Sequence, residues 1–414
     1  MKVLLSAYAC EPDIGSEQAV GWNWLQNIVS ECDVTVITRS NSKQLIEKWV
    51  QNNPGCLNAT FYYMDCGPLA LFLKKLLPGG TYIYYYLWQR KLGKSMPKIT
   101  GGKRYDLYHH ITFASFRMPV GLKGTPMVWG PVGGAELAPL RLLKGYGSLN
   151  GRARELFRNL ATIFASKCVS IWQPIMDKNG IALASTPATH EILRRQGIPT
   201  KLMATIGYDL VSDQHVDRCE DEAPLRLLYV GRLHLLKGLH LALGAIAKIK
   251  RGKIQFTIVG EGPERSRLSI LAGKLGISNE VEFLGHIPNQ MLDEVYSTHK
   301  LLIAPSLYES GGLSILEAFA HGLPAIVLDC GGPALSVAQG CGHKICMNQS
   351  KSETIQHIAD AIQKYINHPE LLRQHGANAK SHLESEYLWE KKKLQMMKVY
   401  KELITNTKST NTKT

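Results

Sequence analysis

Two carboxylates, Glu309 and Glu317, stand with seven residues between them in the stretch Ser306-Leu307-Tyr308-Glu309-Ser310-Gly311-Gly312-Leu313-Ser314-Ile315-Leu316-Glu317. The apolar run 301–304 reads as a buried strand, Gly311-Gly312 as a loop, and 313–321 as a helix stopped by Gly322-Leu323-Pro324. A strand, a glycine loop and a helix start in that order make an anion site. The first-turn amides have no intrahelical partner, and the macrodipole adds positive potential. Gly311, Gly312 and Leu313 are therefore candidate phosphate contacts. A carboxylate at the mouth of such a site would repel a bare phosphate, so Glu309 suits a hydroxyl-rich group attached to it. A nucleotide sugar has both parts. The plainer alternative is that Glu309 merely ends a strand and Glu317 is a solvated helix residue.

A second motif adds positive charge. In Leu225-Arg226-Leu227-Leu228-Tyr229-Val230-Gly231-Arg232-Leu233-His234-Leu235-Leu236-Lys237-Gly238 an apolar strand leads into a turn carrying Arg232 and Lys237. A guanidinium and an ammonium leaving one strand end could neutralise a diphosphate, the first in bidentate fashion and the second as a point charge. Solvated surface cations are the alternative for either residue alone.

These elements, with Val259-Gly260-Glu261-Gly262-Pro263, Phe283-Leu284-Gly285 and Gly331-Gly332-Pro333, resemble in kind and order the retaining glycosyltransferases of family 4. The resemblance is strongest over residues 225–335. It implies an α/β protein of the GT-B fold, with two Rossmann-like, doubly wound parallel-sheet domains facing a central cleft. It further implies that Arg232 and Lys237 bind the donor diphosphate, that Glu309 contacts the transferred sugar, and that Glu317 holds the ribose. Gly231 and Gly260 would flank the donor, and the base would meet backbone near His286 and Ile287. The position that the family usually fills with an aromatic residue is Gly311 here.

The first half carries matching elements. Residues 2–8 read as a strand, followed by Cys10-Glu11-Pro12-Asp13-Ile14-Gly15-Ser16-Glu17 and a helix through Trp22, Trp24 and Ile28. The three-glycine dinucleotide fingerprint is absent. By the resemblance, Gly15 and Ser16 contact the donor from across the cleft, while Glu17 serves the acceptor or caps the helix. Asp106-Leu107-Tyr108-His109-His110 reads as a strand whose carboxyl end holds two histidines, where ligands bind in open α/β sheets. The family places a sugar-contacting histidine near this point. His109 and His110 are both candidates, with His110 favoured. Gly133 and Gly134, in the loop closing the strand around Val128, fall on the acceptor side.

The chain has 414 residues, of which 45% are hydrophobic, enough for two cores. The expected division is an acceptor-side domain over 1–205, a nucleotide-sugar domain over 206–385, a helix packing back across the domains over 386–405, and a polar tail over 406–414. Nine cysteines without metal-type spacing suit a reducing, cytoplasmic setting. No charged leader precedes the first strand, and no uncharged run nears the ~20 residues needed to cross a bilayer. The formal charge is +14, and the first 205 residues hold 24 Lys and Arg against 12 Asp and Glu. Those cations are mixed with apolar residues in 71–77, 82–94 and 137–164, a composition suited to an anionic membrane surface. No nucleic-acid module accompanies the charge.

The expected activity is metal-independent transfer of a sugar, with retention, from a nucleotide-diphosphate sugar to a saccharide or lipid-linked acceptor, in cell-surface polysaccharide or glycolipid synthesis. No cofactor is expected, and the setting is the cytoplasm or the inner face of a membrane. The alternatives are a sugar-nucleotide epimerase of the same fold and a non-catalytic sugar-nucleotide or membrane-binding protein.

Overall fold

The computed structural model describes residues 1–12, 15, 17–77, 79–122, 124, 126–172, 179–210 and 224–411. Two compact units are present. The first comprises Met1–Ala135, Thr162–Thr205 and Trp389–Thr414, and the second Glu136–Ala161 and Ile206–Leu388.

The strands of the first unit are β1 (Lys2–Ser6), β2 (Asp33–Thr38), β3 (Ala59–Tyr63), β4 (Leu107–His110), β5 (Met127–Val132), β6 (Gly180–Ala184) and β7 (Thr200–Leu202). They pair in parallel in the order β3-β2-β1-β4-β5-β6-β7. Parallel strands need crossover connections, so both faces of the sheet are covered and the central strands are largely buried. Every residue of β5 is buried, as is β1 after Lys2. Chain order reverses between β1 and β4, which makes their carboxyl ends the crevice of this sheet.

In the second unit β8 (Leu225–Val230), β9 (Ile254–Val259), β10 (Val281–Gly285), β11 (Leu301–Ala304), β12 (Ala325–Leu328) and β13 (Gly342–Ile345) form a parallel sheet ordered β10-β9-β8-β11-β12-β13. The reversal lies between β8 and β11, where Leu227 and Leu228 pair with Leu301 and Leu302. The strand expected over 301–304 and the helix expected from Leu313 are both observed. The helix runs Leu313–Ala320, and Gly322 follows at φ 62°. The expectation of an α/β protein with two doubly wound parallel sheets agrees with this structure.

The division between units differs from the contiguous one expected, 1–205 and 206–385, in two segments. Residues 136–161 pack with the second unit. His240 Nε2 donates to the Leu142 carbonyl at 2.9 Å, Arg141 Nε to that of Gln349 at 2.9 Å, and the Arg158 guanidinium lies 3.9 Å from the Tyr308 ring centre. The closing helix, Trp389–Asn411, belongs to the first unit and reaches into the residues expected as a polar tail. The Trp389 ring meets Trp24 edge-on at 5.2 Å, on the helix Glu17–Ile28, and the Trp24 indole N–H donates to the Thr205 carbonyl at 2.9 Å. Met396 and Tyr400, further along the closing helix, are fully buried.

Trp389→Ala opens a cavity against Trp24, and a loss of about 3–5 kcal/mol is expected in urea unfolding. The exposed Leu394→Ala on the same helix should change stability by less than about 0.5 kcal/mol.

Candidate functional site

At the reversal of the second sheet, the segments after β8 and β11 are locked together by backbone. The Leu307 N–H donates to the Leu236 carbonyl at 2.8 Å. Gly238 takes φ 69°, and a Cβ there would lie 2.0 Å from the Pro305 carbonyl oxygen, so only glycine permits this approach. Gly331, at φ 56°, allows the same at Glu309, whose carbonyl would meet a Cβ at 1.8 Å. The backbone on each side of the site is thus set by a glycine that a larger residue would displace.

This lock brings the Lys237 ammonium onto the Glu309 carboxylate as an ion pair between partly buried groups. The second carboxylate oxygen of Glu309 accepts the Gly311 N–H at 3.5 Å. Gly312, at φ 88°, is the N-cap of the helix Leu313–Ala320. Tyr229, Lys237, Ser306, Glu309, Gly312 and Pro333 all line one small cavity. Arg232 is exposed on the loop after β8, where the Tyr229 hydroxyl donates to its carbonyl at 3.1 Å. The glycine turn after β9 touches this loop: a Cβ on Gly260 would lie 2.0 Å from the Gly231 carbonyl. Gly231, Arg232, Lys237, Gly260, Glu309, Gly311, Gly312 and Leu313 are therefore gathered at three strand ends of one sheet. A cation pair, a helix N-terminus and a carboxylate in that setting can hold a phosphate with a polyol beside it.

Glu317 is held differently. Its carboxylate accepts the Tyr296 hydroxyl at 2.6 Å, from the helix Asn289–Ser297. Burial raises its pKa, the Tyr296 hydrogen bond opposes the shift, and Asp293 adds to it. His286 is exposed and, with Ile287, borders a separate cavity of about 670 Å³ shared with Arg226, Thr257 and Glu282. Neither residue lines the Lys237–Glu309 cavity.

Glu136, two residues after Gly134, is a further carboxylate; it is 5% exposed, and neither of its carboxylate oxygens is hydrogen-bonded. The Cys330 thiol is pushed up to about 12, first by burial and then by the charges of Glu136, Glu309 and Asp329. Glu136 and Glu309 thus both lie within electrostatic reach of Cys330. The signal for Glu136 was its place after a glycine-rich strand end. Tyr296, eighteen residues or more before any flagged position it serves, carried none.

The first unit places its candidates otherwise. His109 and His110 are wholly buried. His109 Nε2 donates to the Gly130 carbonyl at 2.7 Å, which leaves Nδ1 to accept from the Tyr400 hydroxyl at 2.6 Å. His110 Nε2 is 2.8 Å from the Tyr85 hydroxyl, and Nδ1 is 3.0 Å from Ser6 Oγ. All four ring nitrogens are engaged inside the core, so neither imidazole of the expected sugar-contacting pair is presented to solvent in this structure. Burial lowers both, His109 to about 4 and His110 to about 3, so both are neutral at pH 7.

Glu17 opens its helix, but its carboxylate reaches across to accept the Phe113 N–H at 2.5 Å. Phe113 has φ 53°, a costly conformation for a bulky residue, and this bond braces it. Burial raises the Glu17 pKa against the effect of the Phe113 N–H. Glu17 thus joins the loops after β1 and β4. Gly15 is exposed beside it, and Ser16 lies outside the described residues. The Gly133 N–H donates to the Ala114 carbonyl at 3.0 Å, and Gly134 takes φ 101° next to Ser115 and Arg117.

Residues 213–382 match the family described as Glycosyl transferases group 1. The matched span contains every strand of the second sheet and the Lys237–Glu309 pair. Alpha-D-kanosaminyltransferase of Streptomyces kanamyceticus is 28% identical over 214 residues, covering 48% of this chain and 54% of that protein. The chain spans about half or less of the length of the curated relatives it matches. Over the whole chain, the fold is shared with sucrose-phosphate synthase from Thermosynechococcus elongatus, at TM-score 0.65 and 19% identity, with 98% of this chain and 99% of that one covered. It is also shared with Anabaena HepE in complex with UDP, at TM-score 0.60 and 15% identity, with 97% and 100% covered. The GT-B class expected from the sequence is the fold of this chain.

The two histidines give a pH test. Their folded pKa values lie below the ordinary ~6.5, so the folded state binds fewer protons than the unfolded chain. Their contribution is complete above about pH 6.5 and is lost as pH falls towards their folded values of about 4 and 3. Urea midpoints should fall over that window, and His109→Gln should flatten the fall while lowering stability at pH 7.

Tyr296→Phe leaves the buried Glu317 carboxylate without its hydrogen-bond donor, and a loss of about 1–3 kcal/mol is expected in urea unfolding.

Proposed function

We propose that this chain transfers a sugar from a nucleoside-diphosphate sugar to a saccharide or lipid-linked saccharide, with retention and without a metal ion. The observation that carries the reading is the Lys237–Glu309 ion pair at the reversal of the second sheet, beside the helix N-terminus at Gly312. The group 1 match over the same residues and the UDP bound to HepE support a nucleotide donor.

The ion pair explains how the site can wait for its ligand. Each partner neutralises the other while partly buried, so neither bears the cost of an isolated charge. An arriving diphosphate competes for Lys237, and the released Glu309 is free to accept hydrogen bonds from sugar hydroxyls. One ligand thereby satisfies both ends of the pair. As the bond from sugar to phosphate breaks, positive charge grows at the anomeric carbon and negative charge on the departing diphosphate. Arg232, Lys237 and the first-turn amides after Gly312 would meet the negative charge with hydrogen-bond donors, the largest single term in many enzymes. Those cations supply what a bound metal supplies elsewhere. Retention follows if the acceptor hydroxyl attacks from the leaving-group face, with the departing phosphate oxygen taking its proton. Glu317 with Tyr296 would hold the ribose. The setting we propose is the cytoplasm, with the acceptor presented at a membrane surface in cell-envelope saccharide synthesis.

Lys237→Ala and Arg232→Ala should each lower kcat/KM for transfer by about 100-fold or more with the unfolding midpoint kept. Product analysis with a panel of UDP and GDP sugars is the measurement. Full activity in both variants would refute the assignment, and conversion of the donor sugar without any acceptor would replace transfer by epimerisation.

A further inference from the structure

The first unit contains a pair of packed helices, Pro68–Leu76 and Gly80–Thr100, whose outward surface is rich in apolar side chains. Leu69, Phe72 and Leu76 recur at helical spacing on the exposed side of the first helix, at 71%, 59% and 62% exposure. Leu77, Tyr82 and Ile83 continue the apolar surface around the connection into the second helix. No residue of the first helix is fully buried. Six large apolar side chains therefore face outward where a water-facing helix would carry polar ones.

Within the segment the charge has one sign, and Asp65, just before it, is paired with Arg39 and accepts the Tyr84 hydroxyl. Residues 66–105 hold eight Lys or Arg (Lys74, Lys75, Arg90, Lys91, Lys94, Lys98, Lys103 and Arg104) and no Asp or Glu. Lys75, on the face of Leu76 and Phe72, is exposed. On the second helix Ile83, Arg90, Lys94 and Lys98 fall on one exposed side. The helical rise puts Arg90 about 10 Å beyond Ile83. Apolar residues at one end and a row of cations starting two turns on is the order in which a bilayer offers hydrocarbon and then anionic headgroups. A protein partner would need acidic groups to meet the cations and would leave the exposed apolar end in water whenever unbound.

We propose that this helix pair is a membrane-docking element that buries Leu69, Phe72, Leu76 and Tyr82 in the interfacial layer of an anionic bilayer, with Lys75, Arg90, Lys94 and Lys98 on the headgroups. It extends the reading above by naming the element that would bring the enzyme to a lipid-linked acceptor, and it stands on surface composition independently of the donor chemistry. A second apolar face, on the helix Leu149–Trp172 with Phe157 and Phe164, carries fewer exposed cations and serves as the control.

The test is co-sedimentation of the full chain with vesicles of phosphatidylcholine alone or mixed with phosphatidylglycerol, at low and high salt. Binding is expected to the anionic vesicles, weakening with salt. Leu69→Ser, Phe72→Ser and Leu76→Ser combined should weaken it by at least about tenfold. Lys75→Ala, Lys94→Ala and Lys98→Ala combined should weaken it by about fivefold per residue at low salt and reduce the salt dependence. Both sets are on exposed positions, so the thermal midpoint and its shift on adding UDP should be those of the unaltered chain. The proposal is overturned by equal binding to neutral and anionic vesicles, by no binding, or by binding that survives both sets. It is also overturned if Phe157→Ser with Phe164→Ser abolishes binding while the helix-pair variants do not, or if the apolar set changes the oligomeric state rather than vesicle binding. Failure to bind UDP would count against the donor reading and leave the vesicle result to be judged by itself.

Discussion

Lys237 and Glu309 are 72 positions apart in the chain, and the ion pair between them exists because β8 and β11 are neighbours in the sheet. In a parallel sheet wound in both directions from its centre, the two strands at the reversal send their following segments to opposite sides. That leaves a gap at their carboxyl ends in which loop backbone, helix N-terminus and charged side chains can converge. The rest of the second unit serves this convergence. Gly238 lets the loops after β8 and β11, and Gly331 those after β11 and β12, come closer than any side chain would allow. The buried strands Leu301–Ala304 and Ala325–Leu328 give the loops after β11 and β12 a rigid base. Each partner of the ion pair neutralises the other, so the site holds its geometry without a ligand.

The first unit uses polar groups to another end. Its two histidines, which stand at the carboxyl end of β4 where a ligand would be expected, are spent inside the core. His109 ties β4 to β5 through the Gly130 carbonyl and to the closing helix through Tyr400, and His110 ties β4 to β1 through Ser6. Neutral imidazole, with one donor and one acceptor, is suited to this because it can satisfy two buried polar groups without carrying charge. Glu17 continues the same logic at the loop level, holding Phe113 in a strained conformation across the crevice end of the sheet. What reaches the surface here is loop backbone of fixed shape, with the titrating groups behind it.

The chain also distributes its apolar surface unevenly. Residues 136–161 leave the first unit and pack with the second, where Arg158 stacks on Tyr308 beside Glu309 and His240 binds the Leu142 carbonyl. In the helix pair 68–100, Leu69, Phe72, Leu76 and Tyr82 remain outside any core, as do Leu149, Leu156, Phe157 and Leu160 in the other segment.

The sequence by itself determined the local elements. The strand at 301–304, the helix start after Gly312, the turn carrying Arg232 and Lys237 and the two parallel sheets were all legible, because strand and helix periodicity and glycine placement act over a few residues. The likeness in motif order extended that to the GT-B class. Only the tertiary structure decided which polar groups face outward. His109 and His110 look the same in sequence whether they point to a ligand or to Tyr400 and Tyr85, because strand alternation gives the face and says nothing of what covers it. Tyr296 behind Glu317, the unpaired Glu136 near Cys330, and the sharing of 136–161 and 389–411 between units all depend on contacts between residues far apart in the chain. Periodicity cannot carry that information, since it records how a residue sits on its own element and nothing of the element that packs against it.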